Sequence, residues 1–207
     1  MKNPRLMGMT APKLTVILLI SASFMAGCNS APPPRSIEDS ANSTSRQKMI
    51  PARDQKAIDS ASNVQITKLD GGTFKLSDFR GKVVVVDFWA TNCKPCVELV
   101  PKLANLSKKY RDQGLEVVGL TSDERENEKQ VQEFLKRAGA DYLVGYENQW
   151  LVKAFLKGTE DETYAAPIPQ VFVISRDGQV VDHFIGANPQ RGIADLEQSV
   201  SQQLASR

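Results

Sequence analysis

Scarcity narrows what this chain can be. Its 207 residues hold only three cysteines and one histidine, His183. A structural zinc site wants four Cys or His ligands; with Cys28 set apart near the N-terminus, only His183 is left to join Cys93 and Cys96, and no metal site is expected. Charge of one sign is also missing. With 26 basic and 24 acidic residues and no basic patch, the chain does not present the surface that nucleic acid requires. There is no internal repeat. Gly81-Lys82 lacks the rest of a P-loop, so no phosphate cradle follows. No apolar run reaches the roughly 20 residues of a comfortable membrane span.

What is present begins with an address. Lys2, Arg5 and Lys13 precede the apolar stretch Leu14 to Ala26, which ends on small residues, as a secretory signal peptide does. Met25-Ala26-Gly27-Cys28 resembles the lipobox of bacterial lipoproteins. That likeness implies cleavage before Cys28 and a thioether-linked lipid on it, with Met25 in place of the more usual Leu. Residues 1–27 are therefore expected to be a lipoprotein signal peptide. Residues 28–62 are rich in Ser, Pro, Ala and charge, include Pro32-Pro33-Pro34, and carry few large apolar side chains; they read as a flexible tether. A coil of that length spans about 30–35 Å. Residues 63–207 have the size of one domain.

Within that domain the periodicities are distinct. Val64 to Lys68 alternates, Asp70-Gly71-Gly72 turns, and Thr73 to Leu76 returns, an N-terminal β-hairpin. Val83 to Trp89 is apolar on both faces, as a buried strand of a parallel sheet is. Lys94 to about Tyr110 follows as a helix with Val97, Val100, Leu103 and Leu106 inward and a kink expected at Pro101. Leu115 to Leu120 is a second buried strand. Ser122 or Asp123 is placed to cap a helix over Glu124 to Ala138, whose inner stripe is Val131, Phe134, Leu135 and Ala138. A short strand over Tyr142 to Val144, a helix over Glu147 to Leu156 and a polar loop over Gly158 to Ala166 come next. Gln170 to Ile174 and Gln179 to Ile185 flank Arg176-Asp177-Gly178 as an antiparallel hairpin. Asn188-Pro189 opens a closing helix with Ile193, Leu196, Val200 and Leu204 inward. This order predicts an α/β fold with a central mixed β-sheet flanked by helices.

The chemistry lies where the first buried strand ends. Asp87-Phe88-Trp89-Ala90-Thr91-Asn92 leads into Cys93-Lys94-Pro95-Cys96, and Pro95 suits the first turn of a helix. A thiol at a helix N-terminus meets unpaired N–H groups and the macrodipole, both of which favour the thiolate. Cys93, nearer the strand, is expected to attack, with a pKa below the free value of about 8.5. Cys96, one turn inside, is expected to resolve. Closing so short a loop gains little chain entropy, so the pair is not there for stability. Asp87 follows four valines, where a carboxylate is costly unless protonated or hydrogen-bonded. Burial would raise its pKa and fit it to accept the proton of the resolving thiol. The alternative is a hydrated aspartate at a strand edge. His183 reads as a surface strand residue.

The stretch Asp87 to Cys96, with Ile168-Pro169 ahead of the last hairpin, resembles the thioredoxin superfamily. The leading hairpin, the approach Leu76 to Lys82 and the added segment 122–156 resemble its membrane-anchored TlpA/ResA-type branch. The resemblance covers about residues 63–205. It implies a thioredoxin-like fold with a TlpA-type insertion, a redox disulfide between Cys93 and Cys96, and Asp87 as the buried acid. It further implies a cis-proline at Pro169 facing that disulfide. Trp89, Ile168 and Pro169 are then the expected contacts to a bound chain, Ile168 through its backbone. Three positions depart from the pattern. Asn92 stands where relatives usually carry Trp, Leu99 where the branch often has Glu (Glu98 lies about 100° round the helix), and Gln170 where Thr is frequent.

The expected function is a lipid-anchored, periplasmic thiol:disulfide oxidoreductase without a cofactor. It would act as a monomer and reduce disulfides of exported proteins, apocytochrome c being a client the family suggests. Its partners would be those proteins, a membrane thiol electron donor, and the membrane itself through the lipid on Cys28. A copper metallochaperone is the rival from another class, because two thiols also hold Cu(I). Such thioredoxin-like proteins separate their cysteines by three residues and place a His nearby. A thiol peroxidase is the third reading, but its Pro-x-x-x-Thr-x-x-Cys setting is absent.

Overall fold

A computed structural model describes residues 52–156, 167–186 and 191–206. The signal peptide expected over 1–27, Cys28, the first part of the expected tether, the loop expected over 158–166 and the helix start expected at Asn188-Pro189 lie outside the described residues. No helix among the described residues is long and apolar enough to cross a membrane.

The first element corrects an expectation. The tether does not run unfolded to residue 62, because Ala52–Ala61 is a helix, α1. Its apolar content is small, yet Ile58 is fully buried and Ala61 nearly so. Gln55 is buried too. Its amide donates to the Gly178 carbonyl at 2.8 Å and its oxygen accepts from the Val180 amide at 3.1 Å. Few apolar side chains suffice here because polar ones find partners in the fold.

The hairpin follows as β1 (Ile66–Thr67) and β2 (Thr73–Phe74), paired antiparallel. The main sheet is built from β3 (Val83–Trp89), β4 (Leu115–Thr121), β5 (Leu143–Tyr146), β6 (Gln170–Ile174) and β7 (Val180–Ile185). Its order is β5-β4-β3-β6-β7. β3, β4 and β5 run parallel, while β6 opposes β3 and β7 opposes β6, so the sheet is mixed as expected. The helices are α2 (Lys94–Tyr110), α3 (Glu128–Ala138), α4 (Gln149–Leu156) and α5 (Ile193–Ala205). α2 runs through Pro101 without a break.

Two cores result, one on each side of the sheet. Val83, Val85 and Trp89 of β3 pack with Cys96, Val100 and Leu103 of α2, Val131 of α3 and Leu196 and Val200 of α5. Val84, Val86 and Phe88 pack with Ile58 of α1, Leu151 and Phe155 of α4, and Phe172 of β6. The alternation of β3 therefore divides one strand between two dry interiors. A second correction concerns the start of α3. Neither Ser122 nor Asp123 caps it. A 3₁₀ turn over Arg125–Asn127 intervenes, and the cap residue Asn127 makes no side-chain cap bond. Asp123 is engaged elsewhere.

Candidate active site

Chain direction places the dithiol. β3 ends at Trp89 inside the core, and the chain surfaces through Thr91 and Asn92 before α2 begins. The loop is held by Asp123, at the end of the neighbouring strand. Its carboxylate accepts from the Thr91 amide at 2.9 Å, the Thr91 hydroxyl at 2.6 Å and the Thr121 hydroxyl at 2.7 Å. Instead of capping a helix, Asp123 ties the approach to Cys93 onto β4. Only the pairing of β3 with β4 brings it there, so no local pattern could have marked it.

Cys93 is the N-cap of α2, and Pro95 sits in the first turn. The Cys96 amide donates to Cys93 Sγ at 3.3 Å. This is the interaction by which a helix N-terminus favours negative charge on sulfur. Cys93 and Cys96 are joined in a disulfide, with Cα atoms 5.2 Å apart. Cys93 is partly exposed, while Cys96 is completely buried. One sulfur can meet a partner and the other cannot.

Across from the disulfide, the Ile168–Pro169 peptide is cis. The Ile168 carbonyl oxygen lies 3.5 Å from Cys93 Sγ. Pro169 is buried and Ile168 half-buried. Behind them Gln170 is 1% exposed. Its amide donates to the Pro167 carbonyl at 2.7 Å, and its oxygen lies 2.5 Å from His183 Nε2. A Thr side chain at this position would be too short to reach both partners. His183 corrects another expectation. It is not a surface strand residue; its ring stacks on Phe172 at 4.1 Å and 6°. That is the sheet face away from Cys96, so His183 does not join the thiols.

A groove of about 160 Å³ opens beside the dithiol. Pro95 and Leu99 of α2, Pro169, Phe184 of β7 and Ile193 of α5 form its apolar walls, with Glu98, Lys102 and Arg191 among its charged lining. Leu99 is thus a wall residue. The contribution of α5 joins the site only through the fold.

Asp87 is completely buried, and neither carboxylate oxygen has a hydrogen-bond partner among the described residues. It alternates with Val85 and Trp89, on the face that packs Cys96. The hydrated-edge alternative is excluded by this burial. Loss of water raises its pKa from 3.8 to about 8. A free thiol titrates near 8.5. The shift brings the Asp87 carboxyl toward the range in which a free thiol titrates. Trp89 is the remaining correction. It does not line the surface offered to a bound chain; it is fully buried, its ring 5.6 Å from that of Phe134.

A part-exposed sulfur, a buried second sulfur, a cis-proline loop and a buried acid on a thioredoxin-like α/β scaffold define a dithiol–disulfide exchange protein. A Redoxin family model matches residues 55–200, and the chain belongs to that family. It is 33% identical over 143 residues to the thiol-disulfide oxidoreductase ResA of a Bacillus cereus strain, covering 68% of this chain and 76% of that protein. It is 30% identical over 135 residues to ResA of Bacillus subtilis, covering 65% and 70%. Among solved structures, it resembles a thiol:disulfide interchange protein of the thioredoxin family from Chlorobium tepidum TLS. There the TM-score is 0.60 at 27% identity, over 70% of this chain and 95% of that one. The chain is a thiol-disulfide oxidoreductase of the ResA/TlpA type, and its substrates contain disulfides.

Proposed function

We propose that this protein is a lipid-anchored oxidoreductase of the cell envelope that reduces disulfides of exported proteins. The observation that carries the reading is the asymmetry of the dithiol: Cys93 partly exposed beside the Ile168 carbonyl, Cys96 sealed behind it. In the reduced protein, the Cys93 thiolate attacks a substrate disulfide. One substrate sulfur leaves as a thiolate and takes up a proton, and a mixed disulfide forms. Cys96 passes its proton to the Asp87 carboxylate and attacks Cys93 Sγ. The second substrate sulfur leaves as a thiolate and takes up a proton from solvent, Asp87 later gives up its own, and the Cys93–Cys96 disulfide remains. Two electrons have moved to the substrate, and a membrane thiol donor returns them. Ile168 and Pro169, with the groove beside them, position the client chain. The lipid sits on Cys28 and the domain faces the periplasm, a reading supported by the Met1–Cys28 sequence. An exported apocytochrome c fits as a client.

The test is a trap. Cys96→Ser should accumulate mixed disulfides with exported proteins, identified after purification from the membrane fraction; Cys93→Ser should trap none. A redox titration against glutathione tests direction. A potential near about −120 mV, that of a strong oxidant, would overturn reduction as the role.

A further inference from the structure

Gln170 is a buried amide at the first position of β6, paired with Phe88 of β3 and Ile185 of β7. Burying an amide is costly unless its hydrogen bonds are made, and an apolar side chain would fill this position without that cost. Here both bonds are made, and each fixes the other. The Pro167 carbonyl can only accept, so the group that meets it at 2.7 Å is the Gln170 NH₂. The Gln170 oxygen must then accept, and His183 Nε2, 2.5 Å away, carries the proton between them. His183 is itself held, its ring stacked on Phe172.

The consequence falls on the loop ahead of the strand. Two peptides flank Ile168. The second is the cis one, and its carbonyl oxygen, that of Ile168, lies 3.5 Å from Cys93 Sγ. The first, Pro167–Ile168, is trans, and in a planar trans peptide the C=O and N–H point to opposite sides. Gln170 draws that carbonyl toward the interior, so the Ile168 N–H faces outward. This N–H donates to no group among the described residues, and Ile168 is only half-buried. We infer that Gln170 is a positioning residue for client binding: braced by His183, it turns the Ile168 N–H outward to donate to a backbone carbonyl beside the client's disulfide. The inference rests on the proposed binding of a client chain at Ile168 and Pro169. It concerns the affinity for polypeptide and not the reactivity of sulfur, because the hydrogen bonds of Gln170 reach neither cysteine.

Two substrates separate affinity from reactivity. A peptide disulfide offers backbone carbonyls, and hydroxyethyl disulfide offers none. Single-turnover reduction by the reduced full chain gives a rate with each and, for the peptide, a limiting rate and a half-saturating concentration. Gln170→Met keeps the length of the side chain and removes both hydrogen-bonding groups. It should raise the half-saturating peptide concentration about tenfold, the worth of one hydrogen bond. The limiting rate and the rate with hydroxyethyl disulfide should stay at the parental values. Gln170→Leu, a second apolar replacement, should show the same rise and guards against a folding defect peculiar to Met, with circular dichroism as the control. An unchanged half-saturating concentration in either folded variant overturns the inference. So does an equal loss with both substrates, the mark of a merely structural role. Failure of the underlying reading looks different: the parental protein would then show no saturation with the peptide disulfide, whatever stands at position 170.

Discussion

On one face of β3, Val84, Val86 and Phe88 pack in a cluster of aromatic and aliphatic side chains, and the polar Gln170 and His183 beside it are hydrogen-bonded to each other. Phe88, Phe155 and Phe172 form a mutual edge-on cluster, with centroids 5.0 to 6.0 Å apart. On the other face, Val83, Val85, Asp87 and Trp89 lie under α2, and the buried polar atoms of Asp87, Trp89 and Tyr142 have no hydrogen-bond partner among the described residues. Both faces are dry. The first uses its dryness for packing, and the second uses it to change what a carboxyl group does. The same exclusion of water that stabilises a phenyl ring lifts Asp87 into the range of a thiol.

The contrast between the faces is most vulnerable at the sulfur. Cys93→Ser should abolish reduction of insulin disulfides while the circular dichroism spectrum is retained. Full activity in that variant would remove the dithiol from the mechanism. Next comes the acid. Asp87 binds its proton near pH 8 when folded and near 3.8 when not, so between those values the folded state holds more protons. Its contribution to stability is complete below about pH 4 and falls by roughly 1.4 kcal/mol per pH unit until about pH 8. Denaturant titrations at several pH values should show that slope in the parent and its loss in Asp87→Asn. An equal slope in both would mean that the carboxyl is not desolvated.

The packing face should behave in the opposite way. Phe155→Ala should cost about 3–5 kcal/mol of stability with exchange by the folded fraction unchanged. A selective loss of exchange in a stable Phe155→Ala protein would erase the division between the two faces. The smallest effect is expected at Gln55, where α1 meets the turn between β6 and β7, at the end of the sheet away from the dithiol. Gln55→Ala should cost about 1–3 kcal/mol, read from a denaturant midpoint, and leave exchange rates alone.

Local signals make much of this legible. The four valines and the Cys93-Lys94-Pro95-Cys96 turn mark β3 and the start of α2, because a fully buried strand and a capped helix leave clear patterns. The direction of Trp89 does not follow. Both faces of β3 are covered, so alternation says which residues share a side but not which helices each side meets. α1 escapes a local reading because its sequence carries charge and alanine around one isoleucine, and its support comes from Gln55 and a turn more than a hundred residues away. Asp123 looks like a cap because capping is the commonest use of an aspartate before a helix. Its actual partners come from adjoining strands. Gln170 stands out as a departure, but its link to Pro167 and His183 becomes visible only once β6 and β7 are paired.

The placement of α1 bears on where the self-sufficient unit begins. A fragment started at residue 63 would contain every cysteine-bearing element of the site. It would also strip Ile58 and Ala61 from the hydrophobic cluster they share with Leu151 and Phe155, and leave the Val180 amide and Gly178 carbonyl without their amide partner. Bare apolar surface of that kind promotes self-association. Shortened versions of the protein should therefore keep Ala52 onward, or they will lose yield for reasons unrelated to redox chemistry.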